Sequence, residues 1–149
     1  MKNLHFTQFI SVPSDVVWEM MWSKQTFGIW MEPMGIGHYY EPALIQGGHI
    51  RWLTPQGDGM YGKVKAIIPY QQITFEHHGW IINGINSNED TFNSIEKYTL
   101  QSMENGTLVS LEVETFPEYE KLMLEKYPQV LIALQELATT AFLSQNQNL

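Results

Sequence analysis

The stretch of residues 60–80 reads MYGKVKAIIPYQQITFEHHGW and contains two runs in which apolar and polar residues alternate. Side chains on a β-strand point to opposite faces in turn, so this period of two predicts strands over residues 60–68 and 72–80. Pro69-Tyr70 interrupts the alternation between them, as expected of a turn. The two runs therefore predict two consecutive antiparallel strands.

The same alternation predicts which side chains face the interior. Ile73 and Phe75 share one strand face, so His77 faces inward with them, whereas Glu76 and His78 face outward. On the other strands the predicted inward set is Ile50, Trp52, Met60, Val64, Ile68, Tyr98, Leu100, Val109, Leu111 and Val113.

Further alternating runs extend the sheet on both sides. A first strand is predicted where Leu4, Phe6, Gln8, Ile10 and Val12 alternate before Pro13. Asn105-Gly106 is a strong hairpin signal between two late runs. The additional predicted strands cover residues 37–40, 49–54, 94–102 and 107–116.

Helical patterns occur near both ends of the chain. Ser14 and Ser23 are helix-start residues, and they predict two short helices directly after the first strand. Near the other end we expect a short helix after Pro117 and a longer one whose first turn contains Pro128. The longer helix has an apolar stripe at helical spacing, formed by Val130, Leu131, Leu134, Leu137, Ala138, Ala141 and Phe142.

This order of elements predicts an α+β fold. About six or seven antiparallel strands form a curved sheet with one apolar face, and the long C-terminal helix is the natural cover for it. A strongly curved sheet with one helix across it tends to leave an internal space. No repeat or linker divides residues 1–149, so we expect a single domain.

Composition excludes several classes of function. The chain has no cysteine, which removes disulfides, thiolate nucleophiles and cysteine zinc sites. Its formal net charge of −8 is unsuited to binding nucleic-acid phosphates or anionic membranes. Residues 1–11 lack the apolar run of a signal peptide, and no stretch approaches the roughly 20 apolar residues that span a bilayer. We therefore expect a soluble cytoplasmic protein that binds neither nucleic acid nor membranes.

Four motifs resemble a known family. Residues 10–18 (ISVPSDVVW) are similar to its apolar–x–Ala-Pro–x–x–Val-Trp entry into the first helix, and residues 30–33 (WMEP) to its Trp-Trp-x-Pro. The run from Gly47-Gly48 through residues 62–64 (GKV) to Phe75 resembles its most specific strand pattern. Asn105-Gly106-Thr107 is similar to its last hairpin.

In this order the motifs resemble the activator-of-heat-shock-protein-ATPase homologue group of the SRPBCC (START-like) superfamily. The resemblance implies a helix-grip fold with an internal cavity for an apolar or amphipathic molecule. Many domains of this kind pair, so it also allows a homodimer. Three departures are Met31 at the second tryptophan, Tyr127-Pro128 where the family carries Gly-Trp, and a long polar insert from Trp80 to Asn93.

Combined with the inward positions, the resemblance predicts a ligand cavity. The chain is rich in aromatic residues and methionine: it has five tryptophans, seven tyrosines, seven phenylalanines and eight methionines. This composition suits either a ligand cavity or an ordinary packed core. The predicted cavity residues are Trp30, Trp52, Met60, Phe75, His77, Tyr98, Leu111, Leu134, Ala138 and Phe142.

Inward polar residues are the most informative, because a buried polar group without a partner costs about 1–3 kcal/mol. His77 and Tyr98 are the best candidates for contact with a ligand, with Glu96 and Gln8 further along the sheet. The alternative is a hydrogen-bonded core pair of His77 and Tyr98. His77 could also perform acid–base chemistry with Glu96 or Tyr98.

Metal and cofactor chemistry find no support in the sequence. His77 and His78 are adjacent on a strand and point to opposite faces, and no carboxylate completes a site with His38 and His49. Nucleophile elbows and phosphate-binding glycine loops are absent. We predict no metal and no cofactor.

Three functions follow. The leading one is a non-enzymatic binding module for a hydrophobic small molecule. The second is a cyclase, aromatase or hydrolase that uses His77 with an acid in the cavity. The third is a co-chaperone that activates a heat-shock ATPase, as the resemblance implies.

Overall fold

A computed structural model describes residues 1–147, and its main feature is one antiparallel sheet. Seven strands follow the order β1-β8-β7-β5-β4-β3-β2, and the two-residue β6 pairs with β5. The strands are β1 (Lys2–Ile10), β2 (Tyr39–Glu41), β3 (His49–Leu53), β4 (Gly59–Ile68), β5 (Gln72–Ile82), β6 (Ile85–Asn86), β7 (Ser94–Met103) and β8 (Gly106–Thr115).

Three helices accompany the sheet. Helices α1 (Ser14–Trp22) and α2 (Phe27–Trp30) follow β1, and the long helix α3 (Glu120–Gln147) ends the described chain. Short 3-10 turns occupy Glu32–Met34 and Pro117–Tyr119. The predicted α+β class, the curved antiparallel sheet and the two short helices are confirmed. No helix among residues 1–147 is long and apolar enough to cross a membrane.

The prediction of two C-terminal helices separated at Pro128 is wrong, because α3 continues through Pro128. A proline removes one helical hydrogen bond, here the one that the Leu124 carbonyl would accept. Both residues are exposed, so water can satisfy that carbonyl. The buried stripe continues across the interruption and holds the two halves together; it consists of Tyr127, Val130, Leu131, Leu134 and Ala138.

The core lies between the inner face of the sheet and the three helices. Its centre is aromatic: the ring of Trp22 lies 5.1 Å from that of Tyr98, 5.5 Å from Phe75 and 5.8 Å from Trp30. Trp30, Phe75 and Tyr98 are each completely buried. Side chains therefore fill most of the space that the curved sheet encloses.

Two irregularities in the β4–β5 pairing change which side chains face inward. Val64 pairs with Phe75 and Ala66 with Thr74, so Lys65 is an extra residue in β4. A bulge of this kind reverses the alternation beyond it. Ile67 consequently pairs with the inward Ile73. The predicted inward position of Ile68 is wrong, because that side chain is 48% exposed.

A second bulge lies at His78. Gly62 pairs with His77 but Tyr61 pairs with Gly79, which leaves His78 without a partner position in β4. Beyond this point Trp80 lies opposite Met60 and shares the inner face with His77. Strict alternation from Phe75 would have placed Trp80 outside.

Candidate functional site

A cavity of about 300 Å³ lies at one end of the sheet, where β5, β7 and β8 approach the first turns of α3. Trp80 and Leu122 are 36% and 44% exposed, which places the mouth of the cavity beside them. Its lining consists of Met60, His77, Trp80, Phe92, Ser94, Glu96, Val113, Glu114, Thr115, Phe116, Tyr119, Leu122, Met123 and Tyr127.

Four rings form what we call the aromatic wall: Trp80, Phe92, Phe116 and Tyr119. The ring of Trp80 lies 5.1 Å from Phe92 and 5.9 Å from Phe116, and Tyr119 lies 6.3 Å from Trp80. Trp80 comes from β5 and Phe92 from the segment before β7, whereas Phe116 and Tyr119 connect β8 to α3. Together they provide a large apolar surface next to solvent.

Behind the aromatic wall lies a buried polar cluster of four residues, Glu96, Tyr98, Tyr127 and His77. The Tyr98 hydroxyl donates to Glu96 Oε2 at 2.8 Å, and the Tyr127 hydroxyl donates to Glu96 Oε1 at 3.2 Å. Glu96 is 5% exposed. Two hydroxyl donors on separate oxygens stabilise a charged carboxylate away from water.

His77 has no hydrogen-bond partner on either ring nitrogen, although both are buried. Its Nε2 lies 3.8 Å from Glu96 Oε1, too far for a hydrogen bond. The imidazole stacks near Phe75 and meets the edge of Trp52, with centroids 6.4 Å and 5.6 Å away. The predicted alternative of a His77–Tyr98 hydrogen bond does not occur, because the Tyr98 hydroxyl donates to Glu96 instead.

Burial is the main cause that raises the pKa of both tyrosines well above the ordinary value, and the nearby charge of Glu96 adds to it. Removing a proton from either hydroxyl would place two negative charges side by side in a low-dielectric interior. Tyr98 and Tyr127 are therefore hydrogen-bond donors to Glu96 throughout the physiological pH range.

The lining contains acidic residues but no lysine or arginine among the residues the structure describes. Its acidic residues are Glu96 and Glu114. Glu114 Oε1 accepts the backbone N–H of Ile95 at 2.8 Å. Ser94 and Thr115 add buried hydroxyls. The cavity thus combines an apolar wall with polar groups that mostly accept hydrogen bonds.

Of the ten predicted cavity residues, Met60 and His77 line this cavity. Phe142 is partly buried and lines a separate surface pocket beside the β7–β8 turn. The remaining seven lie in the packed core: Trp30, Trp52, Phe75, Tyr98, Leu111, Leu134 and Ala138.

Sequence reasoning missed the aromatic wall and Tyr127. Gly79 was the available signal for Trp80, because a glycine inside a strand often marks a bulge. Tyr127 precedes Val130, Leu131 and Leu134 at helical spacing, so extending the predicted stripe across Pro128 would have found it.

Other surface depressions are larger but more open. One of about 410 Å³ lies along β1 and β8, and one of about 520 Å³ lies between α2 and α3. Neither is lined by a buried polar side chain that lacks a partner. Within residues 1–147, no group of three or more His, Asp and Glu side chains is arranged to hold a metal ion.

The chain is similar to known proteins in its three-dimensional structure and not detectably in its sequence. No protein-family model matches the chain, and no curated protein matches its sequence. Protein MLL2253 from Mesorhizobium loti is 15% identical with a TM-score of 0.72, over 93% of this chain and 98% of that chain. The Aha1 dimer from Colwellia psychrerythraea is 17% identical with a TM-score of 0.63, over 93% of this chain and 94% of that one.

DynU16, from the dynemicin biosynthetic locus, is 13% identical with a TM-score of 0.74. The match covers 95% of this chain but 49% of DynU16. At these identities the likeness concerns the fold, and the helix-grip fold predicted from the sequence is confirmed.

Proposed function

We propose that the chain is a single-domain member of the SRPBCC superfamily, in its AHSA-like group, that binds an apolar or amphipathic small molecule. The likeness to the Colwellia Aha1 dimer and to DynU16 and the four sequence motifs support the family. The ligand would occupy the cavity at the end of the sheet. A soluble, cytoplasmic location is part of the same proposal.

The observation that carries this function is the juxtaposition of the aromatic wall with a buried polar cluster. Ligand sites are mostly apolar with a few convergent polar groups, and their volumes start at about 300 Å³. The partnerless ring of His77, 2% exposed, is costly for folding unless something outside the chain uses it. The dense packing of the rest of the core supports this end of the sheet as the proposed ligand site.

Native mass spectrometry of gently purified protein, followed by denaturing extraction, tests the proposal. A bound molecule should leave when the mouth is filled by Leu122→Trp. The matched control is Leu124→Trp, because Leu124 lies on the same helix, is 50% exposed and does not line the cavity.

Loss of the bound mass in the Leu122→Trp variant alone supports binding at this site. Equal retention by both variants would place the ligand elsewhere. Wild-type protein that carries no ligand and binds no naphthalene-type probe would contradict the function.

A second candidate is an enzyme that uses His77 with Glu96 as the cavity acid. The approach of His77 Nε2 to Glu96 Oε1, 3.8 Å, favours it, since a small movement would join an acid and a base inside one cavity. Incubation of the extracted molecule with wild-type protein and with Glu96→Gln tests this candidate. Conversion by the wild type alone supports catalysis, and an unchanged molecule in both contradicts it.

The likeness to the Colwellia Aha1 dimer also supports a homodimer as a proposal. The family resemblance of the four sequence motifs supports contact with a heat-shock ATPase as another. Light scattering during gel filtration measures the first, and ATPase stimulation by the purified chain measures the second. A monomeric mass and an unchanged ATPase rate would contradict them.

A further inference from the structure

The polar end of the cavity has an unequal supply of hydrogen-bond donors and acceptors. Glu96 offers about four lone-pair positions as a carboxylate, and the two tyrosine hydroxyls fill two of them. Neutral His77 has one N–H donor and one acceptor nitrogen, both unused. The Tyr127 hydroxyl donates its hydrogen bond to Glu96 and retains an oxygen that can accept one.

Free acceptors therefore outnumber free donors around the cluster. Within the cluster, the single N–H of His77 is the donor for a ligand group that only accepts hydrogen bonds. The lining hydroxyls of Ser94 and Thr115 each add one donor but two acceptor positions. A ligand group that donates can reach Glu96 or His77, and a hydroxyl can use both the donor and the acceptor of His77.

Electrostatics reinforces this arrangement. Of the described residues, His77 is the one Lys, Arg or His within 4.0 Å of Glu96. A ligand carboxylate or phosphate would meet the negative charge of Glu96 in a partly water-excluded space, where like charges repel more strongly than in water.

We infer that the cavity selects a ring-containing ligand whose polar head donates a hydrogen bond and carries no negative charge, such as a phenol, an alcohol or an amine. The inference rests on the proposed binding function. It excludes fatty acids and other apolar carboxylates from the preferred ligands. The aromatic wall receives the ring system, and the head reaches the polar cluster.

Three probes that share a naphthalene ring and differ in the polar group at position 2 test this selectivity: 2-naphthol, 2-methoxynaphthalene and 2-naphthoate. The methoxy compound keeps the oxygen but loses the donor, and naphthoate adds a negative charge. Calorimetric titration of the dialysed 149-residue chain measures the affinity for each probe. We expect naphthol to bind about tenfold or more tightly than either of the others.

Glu96→Gln removes the charge while keeping an accepting oxygen. It should bring naphthoate to within about threefold of naphthol. The matched control is Glu112→Gln, which changes the net charge by the same amount. Glu112 is exposed on β8 and does not line the cavity.

The outcomes separate the inference from the function on which it rests. If naphthoate or methoxynaphthalene binds wild-type protein as tightly as naphthol, the inference is overturned while the binding function stands. If none of the three binds, the binding function is overturned and the inference with it. The wild-type comparison decides these outcomes even where Glu96→Gln fails to fold.

Discussion

The hydroxyl of Tyr127 lies 3.2 Å from Glu96 Oε1, which joins helix α3 to strand β7 inside the protein. Tyr127 directly precedes Pro128, where the helix lacks one backbone hydrogen bond. The contact anchors α3 to the sheet at its weakest point. It also orients the carboxylate that faces the cavity.

Tyr127→Phe should lower the free energy of unfolding by about 1–3 kcal/mol, because a buried carboxylate loses one of its two donors. Urea denaturation measures the change. Tyr39→Phe is the control, since Tyr39 is 43% exposed and should change stability by less than about 0.5 kcal/mol. Equal effects at both positions would mean that the Tyr127 hydrogen bond contributes nothing.

Alkaline pH should destabilise the protein through Tyr98 and Tyr127. Both have a pKa raised above the ordinary 10.0 by burial and by Glu96, so their contribution is complete below pH 10.0 and is lost as pH rises toward the folded pKa. Each group should reduce the unfolding free energy by about 1 to 1.5 kcal/mol per pH unit in that window. Urea denaturation at stepped pH measures the slope.

The double variant Tyr98→Phe with Tyr127→Phe should show a shallower decline above pH 10.0. An identical slope in wild type and variant would show that exposed tyrosines or other groups cause the alkaline loss. Tyrosinate absorbance gives a second readout, since the two buried hydroxyls should ionise only as the protein unfolds.

His77→Leu should separate stability from binding. Replacing a buried imidazole without partners by an apolar side chain of similar size should raise the unfolding free energy by about 1 kcal/mol. The same variant should weaken the preference for naphthol over methoxynaphthalene without abolishing it, because Glu96 can still accept from the naphthol hydroxyl. His5→Leu is the control on an exposed position of β1. A clear loss of stability at position 77 would show that His77 has a structural role instead.

Gly62→Ala should severely destabilise the strand pair that presents His77. A Cβ at Gly62 would lie 1.7 Å from the backbone oxygen of Glu76, and a backbone atom cannot move aside as a flexible side chain can. We expect a loss of about 3 kcal/mol or more in thermal or chemical unfolding.

Gly84→Ala is the control for Gly62→Ala, because it measures the backbone conformational cost of replacing a glycine without a steric clash. Gly84 has φ of +80° but open space around it, so the expected loss is about 1 kcal/mol. Similar losses at Gly62 and Gly84 would show that the close contact at Gly62 relaxes easily.

Periodicity and turn residues predicted the succession of the main strands along the chain, the β7–β8 hairpin at Asn105-Gly106, and the inward direction of Phe75 and His77. These features depend on neighbouring residues along the chain, because alternation and turn chemistry are local properties. Strand β7 ends one residue later than predicted, and β8 begins and ends one residue earlier than predicted.

Tertiary structure decided where the cavity lies. The bulge at His78 turned Trp80 inward, the bulge at Lys65 turned Ile68 outward, and packing carried α3 across Pro128 so that Tyr127 reached Glu96. A bulge is defined by the pairing of two strands, so the sequence of one strand does not reveal it. A helix continues through a proline when packing contacts on both sides of the proline stabilise it. The sequence therefore determined the sheet and its inner face, whereas contacts between distant segments determined which end of that face stays open.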